Sequence, residues 1–372
     1  MNIEILVTGA RGFIGKNLVV ALERGEGTDV FPFDLDLPVA DLERGLAQGD
    51  VVFHLAGVNR PGSEEEFEKG NVDPLRDILS RLERNGRRPL LVLASSTQAL
   101  RDNPYGRSKR KAEELLLDYA SRTGTPARIF RLPGVFGKWC RPNYNSVVAT
   151  FCHSIARGLP IEISDPAATV ELVHVDDVVL AFLGLLKGGV EGADFATVQP
   201  VFKTTLGELA GLLTDFHATR KILEVKDLSD PFHRRLFGTF VSYQPSDALA
   251  YALPVRSDVR GELAEFLKAG GHGQIFLSRT RPGITRGGHY HDLKVEKFLV
   301  VEGQAVIRFR HILTDERAEF AVSGTGLEVV DIPPGWTHSI ENTGTSDLVT
   351  LFWSSEVHDP DRPDTFRAEV QK

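Results

Sequence analysis

The sequence predicts an α/β chain in two parts, a doubly wound parallel sheet over residues 1–250 and an all-β barrel over residues 251–372. Three observations predict it. A short apolar run, residues 3–8, passes through Gly9-Ala10-Arg11-Gly12-Phe13-Ile14-Gly15 into an amphipathic helix, residues 16–24. Apolar runs and helical patterns then alternate with short glycine turns, the habit of parallel strands joined by crossover helices. Beyond residue 274 the pattern changes to short, turn-bounded strands at even spacing, as in barrels and sandwiches.

Composition sets the outer limits. A chain of 372 residues is comfortable for two domains, and 42% hydrophobic with 25% charged residues is ordinary for a soluble protein. A net charge of -8 and a pI of about 5.8 give no sign of a nucleic-acid partner, so an anionic ligand has to be held by local features. No apolar run approaches the roughly 20 residues of a membrane span, and the amino terminus enters a strand with no signal-peptide pattern. The expected setting is therefore the cytoplasm, with no membrane partner. Cys140 and Cys152 stand in no metal-type spacing and are expected to be reduced structural thiols.

In the glycine loop, Gly9, Gly12 and Gly15 let the backbone approach a pyrophosphate, while Arg11, Phe13 and Ile14 surround the helix start, whose free N–H groups favour the charge. That context predicts dinucleotide binding. A second strand, residues 29–33, ends at Asp34, whose carboxylate suits adenosine ribose hydroxyls and repels a 2'-phosphate, favouring NAD(H) over NADP(H). Arg11 remains able to engage a phosphate. A third strand, residues 50–55, runs into Leu55-Ala56-Gly57, small residues that let the chain pass close to the cofactor. Asn71, at the head of a helical stretch, offers amide groups to a ribose or a water.

Residues 89–94 read as a buried strand with Ser96 at its carboxyl end. Tyr105-Gly106-Arg107-Ser108-Lys109 follows at the head of a helix over residues 107–121. Positions i and i+4 share a helix face, so the Lys109 ammonium can sit beneath the Tyr105 phenol. A free phenol ionises near pH 10, so proton exchange with a carbonyl needs such a charge and a hydroxyl, here Ser96, to hold the oxygen. A strand over residues 127–132 leads into Pro133-Gly134-Val135-Phe136-Gly137. Residues 147–157 read as a helix, and 169–175 as a strand entering His174-Val175-Asp176-Asp177, whose aspartates are expected to cap a helix over 178–187.

In this order, the glycine loop, His54-Leu55-Ala56-Gly57, Ser96, Tyr105 with Lys109, Arg131 to Gly137 and His174 to Val178 resemble the extended short-chain dehydrogenases that act on nucleotide sugars. The resemblance implies a Rossmann-type fold, Tyr105 as proton donor to a carbonyl and Lys109 on the nicotinamide ribose. It also implies that the loop over residues 138–146 contacts a sugar nucleotide: Arg141 suits a diphosphate, and Asn143 and Asn145 suit a sugar or an acyl amide.

In the second half, His289-Tyr290-His291 places two imidazoles on one face of a strand. Glu296 follows, and Pro333-Pro334-Gly335-Trp336-Thr337-His338 brings another histidine. The two segments resemble the paired motifs of the cupins, Gly283 fitting the first and Gly326 departing from the second by one residue. His289, His291, Glu296 and His338 form a mixed N/O site compatible with zinc, manganese, iron or nickel, zinc being the expected ion. Such an ion polarises a ketone and acidifies the neighbouring C–H. For the accompanying base, Tyr290, Lys294, Glu302 and His311 all stand open. A cupin that is only a structural or dimerising module is one alternative, and a non-enzymatic dinucleotide sensor, which typically lacks the Tyr-Lys pair, is another.

A sugar-nucleotide reductase fused to a cupin is similar over nearly the whole chain to the UDP-2-acetamido-2,6-dideoxy-β-L-talose reductases of capsule and O-antigen biosynthesis. That resemblance implies epimerisation of carbon 3 of a UDP-4-keto-6-deoxy-N-acetylhexosamine by the cupin, followed by reduction of the 4-ketone. It also implies NADPH, against the preference read from Asp34, and a homodimer or higher homo-oligomer.

Overall fold

The computed structural model describes residues 2–258, 261–264, 268–269, 273–356 and 359–371. Contacts divide the chain into two units, Met1–Ser146 with Thr169–Thr204, and Val147–Ala168 with Thr205–Lys372.

The first unit begins β1 (Ile3–Thr8), α1 (Phe13–Arg24), β2 (Thr28–Phe33), α2 (Val39–Gln48), β3 (Val51–His54), α3 (Glu65–Asn71) and α4 (Asp73–Asn85). It continues through β4 (Leu90–Ser96), α5 (Pro104–Thr123), β5 (Ala127–Leu132) and β6 (Gly134–Phe136). After α6 (Val147–Ala156), which belongs to the second unit, it closes with β7 (Thr169–His174), α7 (Val175–Gly184), β8 (Ala193–Ala196) and β9 (Phe202–Thr205).

Six of these strands form one parallel sheet in the order β2-β1-β3-β4-β5-β8. Strands such as Leu90–Ser96 are apolar on both faces because helices cover both. One apolar layer joins Leu18 and Leu22 of α1 and Phe182 of α7 to Val7, Phe53 and Phe130. The opposite layer joins Leu42, Leu79, Leu116 and Tyr119 from α2, α4 and α5 to Leu6, Val52 and Leu93. This is the doubly wound sheet expected. Its order reverses at β1, with β2 on one side and β3 on the other, and ligands in such sheets bind at the carboxyl ends beside that reversal.

Three helix starts differ from expectation, the first being α1, which begins at Phe13 and not at residue 16. Helix α5 begins at Pro104, because Asn103 caps it by accepting the Gly106 N–H at 2.8 Å, so Tyr105 lies inside the first turn. Helix α7 begins at Val175, and its cap is His174, whose Nδ1 accepts the Asp176 N–H at 3.3 Å. The aspartates do not cap it; Asp176 accepts from buried Lys138 Nζ at 2.8 Å.

The second unit takes in α6 together with α8 (Leu206–Ile222) and α9 (Pro231–Ser242). Its short strands are β10 (Glu224–Val225), β11 (Ala250–Ala252), β12 (Val255–Asp258), β13 (Gly261–Ala264) and β14 (Lys268–Ala269). The longer ones are β15 (Gln274–Thr280), β16 (Thr285–Tyr290), β17 (Glu296–Glu302), β18 (Gln304–His311) and β19 (Arg317–Ser323). Last come β20 (Glu328–Ile332), β21 (Trp336–Asn342), β22 (Leu348–Ser354) and β23 (Phe366–Arg367). Two five-stranded antiparallel sheets, β11-β20-β17-β22-β15 and β19-β18-β21-β16-β23, share one apolar core that includes Phe298, Val330 and Phe352 from the first and Ile307, Phe309 and Ile340 from the second. This is the cupin-like barrel expected.

A buried charge cluster ties α8 to the barrel. Asp331 accepts from Lys297 Nζ at 2.5 Å and also pairs with Arg220, while Lys297 donates to the Tyr251 hydroxyl at 2.9 Å.

Candidate active site and metal centre

The glycine loop is packed too tightly for any side chain. Gly9 has φ +70°, and a Cβ there would lie 2.6 Å from the Ala56 nitrogen; one on Gly15 would lie 2.1 Å from the Gly9 carbonyl oxygen. The start of α1 thus presses against Gly9 and Ala10, and Gly9 in turn against Leu55 and Ala56. No side chain caps α1, which leaves its first N–H groups, including those near Phe13 and Ile14, for a ligand. Asp34, just beyond β2, accepts the Arg11 N–H at 2.9 Å and the Leu35 N–H at 2.9 Å. The Arg11 guanidinium is paired with Asp36, both more than half exposed.

At the carboxyl end of β4, the Ser96 hydroxyl accepts the Gln98 N–H at 3.2 Å and is hydrogen-bonded to the Tyr105 phenol. Lys109 Nζ donates to the Ala94 carbonyl at 3.1 Å and lies over the Tyr105 ring, 5.9 Å from its centre. A Cβ on Gly57 would lie 3.1 Å from that Nζ and 2.8 Å from Asn71 Oδ1, so the glycine makes room for both. Ser96, Tyr105, Lys109, Gly57 and the glycine loop are therefore brought together at one edge of the sheet.

Electrostatics at this edge departs from the simple expectation that the lysine acidifies the phenol. Burial pushes Tyr105 up to about 12, with the Ser96 bond opposing it, and burial lowers Lys109 to about 8, against the raising influence of Glu113. The phenol is a protonated donor throughout the neutral range. Glu113 is itself buried and receives Arg131 in a two-pronged contact, Nε to Oε1 at 3.0 Å and a second nitrogen to Oε2 at 2.6 Å.

Asn71 is a correction. It ends α3, and both of its amide hydrogens are used within the protein, on the Val58 carbonyl at 3.1 Å and the Ser108 hydroxyl at 3.0 Å, while Oδ1 accepts the Val58 N–H at 2.8 Å. No donor remains for a ribose. Arg141, Asn143 and Asn145 lie exposed on the loop after β6, and Arg141 stacks over the Tyr144 ring at 5.5 Å. Two groups here are given no role of their own by the sequence. Tyr144 lies close enough to Tyr105 to raise its phenol further. His54, bonded through Nδ1 to Thr8 at 2.8 Å, is kept neutral, its pKa driven to about 3 by burial and by the Lys109 charge.

In the barrel, His289, His291, Glu296 and His338 present ligand atoms that all lie within 4.8 Å of one another. A bulge between Gly287 and His289 sets the register with β21, where His289 stands opposite His338. Gly287, at φ +107°, is required, because a Cβ there would lie 2.6 Å from the His338 carbonyl oxygen. Glu296 Oε2 is 3.4 Å from His291 Nε2 and 3.6 Å from His338 Nε2. Metal bonds of about 2.1 Å at tetrahedral angles put ligands about 3.4 Å apart. His291 Nδ1 contacts the Asp364 carbonyl at 2.6 Å, which fixes its proton there and leaves Nε2 a lone pair. That Nε2 and His338 Nε2 are buried and face the Glu296 carboxylate, the convergence that a ligand set for a cation requires.

Burial lowers His289 to about 4, helped by His338 and His291. Burial alone would raise Glu296, yet its hydrogen bonds with His291 and His338 hold it below the usual carboxylate range. These protonation states are the metal-binding ones. Among the candidate bases, Tyr290 is buried against Phe366, Lys294 Nζ is bonded to the Pro363 carbonyl and Thr365, and His311 Nδ1 accepts from Leu313 and Thr314. Glu302 is exposed at the far end of β17. The sequence missed Ser354, which stands opposite Glu296 in the ladder with a buried hydroxyl that lacks a partner among the described residues.

Residues 5–197 match the family model described as the NAD dependent epimerase/dehydratase family, and residues 256–366 match the polysaccharide biosynthesis C-terminal domain. The chain is 44% identical to UDP-2-acetamido-2,6-beta-L-arabino-hexul-4-ose reductase of Pseudomonas aeruginosa, over 99% of both chains. The crystal structure of the capsular polysaccharide assembling protein CapF from Staphylococcus aureus is 45% identical, with a TM-score of 0.67, over 99% of this chain and 100% of that one. A crystal structure of CapF with the inhibitor 3-isopropenyl-tropolone is 41% identical, with a TM-score of 0.63, over 100% of both. Both the full-length match and the site that ends the parallel strands lead to one assignment: the chain belongs to the NAD dependent epimerase/dehydratase family and, across its length, to the UDP-2-acetamido-2,6-beta-L-arabino-hexul-4-ose reductase family.

Proposed function

We propose that the chain is a bifunctional nucleotide-sugar enzyme that epimerises carbon 3 of a UDP-4-keto-6-deoxy-N-acetylhexosamine in the barrel and reduces the 4-ketone at the parallel sheet. The product is a UDP-2-acetamido-2,6-dideoxy-L-talose for capsular or O-antigen polysaccharide. The observation that carries this reading is the buried cluster of His289, His291, Glu296 and His338, since ketone reduction by the Tyr105 site needs no such cluster.

At the sheet, the nicotinamide, when bound, supplies the hydride. Ser96 holds the ketone oxygen and Tyr105 donates the proton to it. Lys109, fixed by the Ala94 carbonyl, adds a positive charge beside the phenolate that proton transfer leaves. Glycines 9, 12 and 15 with the start of α1 hold the pyrophosphate, beside Leu55, Ala56 and Gly57. Asp34 takes the adenosine ribose. Because the Arg11 guanidinium is paired with Asp36, NADH is favoured over NADPH, and a lower KM for NADH is the expected kinetic result. Arg141, Asn143 and Asn145 extend from this edge toward the diphosphate and sugar.

In the barrel, His289, His291, Glu296 and His338 would hold a divalent ion, zinc by donor type, which polarises the ketone and acidifies carbon 3. Epimerisation has to come first, because the acidity of that C–H disappears with the ketone.

The test omits the nicotinamide. Incubation with the UDP-4-keto sugar in deuterated water, followed by NMR, is expected to show deuterium at carbon 3 with the native chain and none with His289→Ala. A second reading, a 4-ketoreductase whose barrel is structural, is favoured by one observation: Tyr290, Lys294 and His311 are each engaged elsewhere and Glu302 lies at the far strand end. Exchange at the background rate by a chain that still reduces the ketone would establish that second reading.

A further inference from the structure

The closing segment of the chain, from Asp359 to Phe366, supplies none of the four converging side chains, yet it grips the turn that carries one of them. Asp364 Oδ1 accepts the Asp292 N–H at 3.0 Å. Its Oδ2 accepts from Leu293 at 3.0 Å and from Lys294 at 2.7 Å. The carbonyl oxygen of the same residue meets His291 Nδ1 at 2.6 Å. One residue thus satisfies three consecutive backbone donors and the ring immediately before them.

The neighbouring contacts leave this turn little freedom. Lys294 Nζ reaches back to the Pro363 carbonyl at 3.0 Å and to Thr365 at 3.2 Å. Strand β23 then pairs with β16, Arg367 opposite His289. On its other side the turn meets α9, where a Cβ on Gly238 would lie 2.9 Å from the Leu293 carbonyl oxygen. Asp364 adopts φ +38°, a conformation that non-glycine residues hold only when their surroundings enforce it.

We propose that Asp364 is a positioning residue for the metal centre. Its carboxylate fixes the turn over residues 292–294, and its carbonyl holds the His291 proton on Nδ1, so the Nε2 lone pair is aimed before an ion arrives. Hydrogen-bond partners of metal ligands typically set 10- to 100-fold in metal affinity. The inference rests on the reading that the cluster binds a divalent metal.

Full-length Asp364→Asn is the informative variant. Asparagine tolerates positive φ and keeps the shape, but one oxygen becomes an NH2 that faces N–H groups. Zinc affinity, measured by competition with a chromophoric chelator, is expected to fall about 10- to 100-fold, and the absorption bands of the cobalt(II)-loaded site are expected to shift. A purely structural role would lower thermal stability and leave the spectrum of the folded fraction unchanged. Hydrogen exchange of the native chain provides a reading free of mutation: loading zinc is expected to protect residues 292–294 and 361–368 together. Zinc uptake by the native chain with an unaltered Asp364→Asn affinity and spectrum would overturn this inference alone. Protection confined to residues 289–291 would do the same. A native chain that takes up no ion would overturn the metal reading and this inference with it.

Discussion

Gly106→Ala is expected to damage reduction without touching any group that reacts. A Cβ at this position would lie 2.2 Å from the Gln98 carbonyl oxygen and 2.6 Å from that of Arg101, both backbone atoms. An unstrained carbon–oxygen contact needs about 3.3 Å, so the first turn of α5 and the segment after β4 must separate by about 1 Å. The two sides of that gap carry Ser96 and Tyr105, the pair proposed to react. Tyr105 is adjacent on α5, and the Gln98 N–H is bonded to the Ser96 hydroxyl at 3.2 Å, so pushing Gln98 away shifts Ser96 relative to the phenol. A displacement near 1 Å costs about 100-fold in rate, or about 2.7 kcal/mol of barrier. Stability is expected to drop by about 1–3 kcal/mol from overpacking. The assay is nicotinamide oxidation at 340 nm with saturating UDP-4-keto sugar, with zinc uptake at the barrel in the same preparation as the control for folding. A kcat within about threefold of the native value, at unchanged zinc uptake, would refute the reasoning.

Lys109 gives opposite pH slopes for rate and stability. With its pKa lowered to about 8, the reduction rate is expected to fall as pH rises through 8, because the ammonium is lost. Between about 8 and its unfolded value, the unfolded chain binds the extra proton, so this residue's contribution to stability rises with pH, measurable by urea titration. Asp331→Asn strands Lys297 and Arg220 beside each other in the interior, and is expected to cost about 3–5 kcal/mol in urea unfolding of the second unit. Adding Lys297→Met should recover part of that loss; no recovery would dissolve the pairing argument. Removing the metal with a chelator is expected to destabilise the second unit by about 2.7 kcal/mol relative to zinc at 100 times its dissociation constant, and an unchanged urea midpoint would count against a bound ion.

What the sequence made legible follows from how local each signal is. The glycine loop, the Tyr105 and Lys109 spacing and the His289 and His291 pair each lie within a single turn or strand, where period and backbone geometry fix relative positions. The fold brings each set together, at the carboxyl ends of the parallel strands or inside the barrel. Helix starts slipped by about three residues where a cap decided the boundary: Asn103 draws α5 back to Pro104, and His174 displaces the aspartates. Asn71 looked available because nothing nearby in sequence claims it; its partners Val58 and Ser108 lie 13 and 37 positions away.

The unread groups have the same origin, and they decide how the readable ones behave. Tyr105 and Lys109 suggested an acidified phenol, but the fold buries both, and burial raises the phenol and lowers the amine. The phenol is therefore protonated, the state that donation to a developing alkoxide would need. The same holds in the barrel. Four candidate ligands can be counted from sequence, whereas the tautomer that would make His291 a ligand depends on a carbonyl 73 residues away. Asp364 belongs to no motif, because it acts through a turn that only the folded chain brings near, whereas Glu113 stands four residues after Lys109 on the same face of α5, a spacing open to sequence reading. Motifs name the candidate reacting atoms; the charges and lone pairs on those atoms depend also on burial and on partners, such as the Asp364 carbonyl, that have no fixed spacing from them.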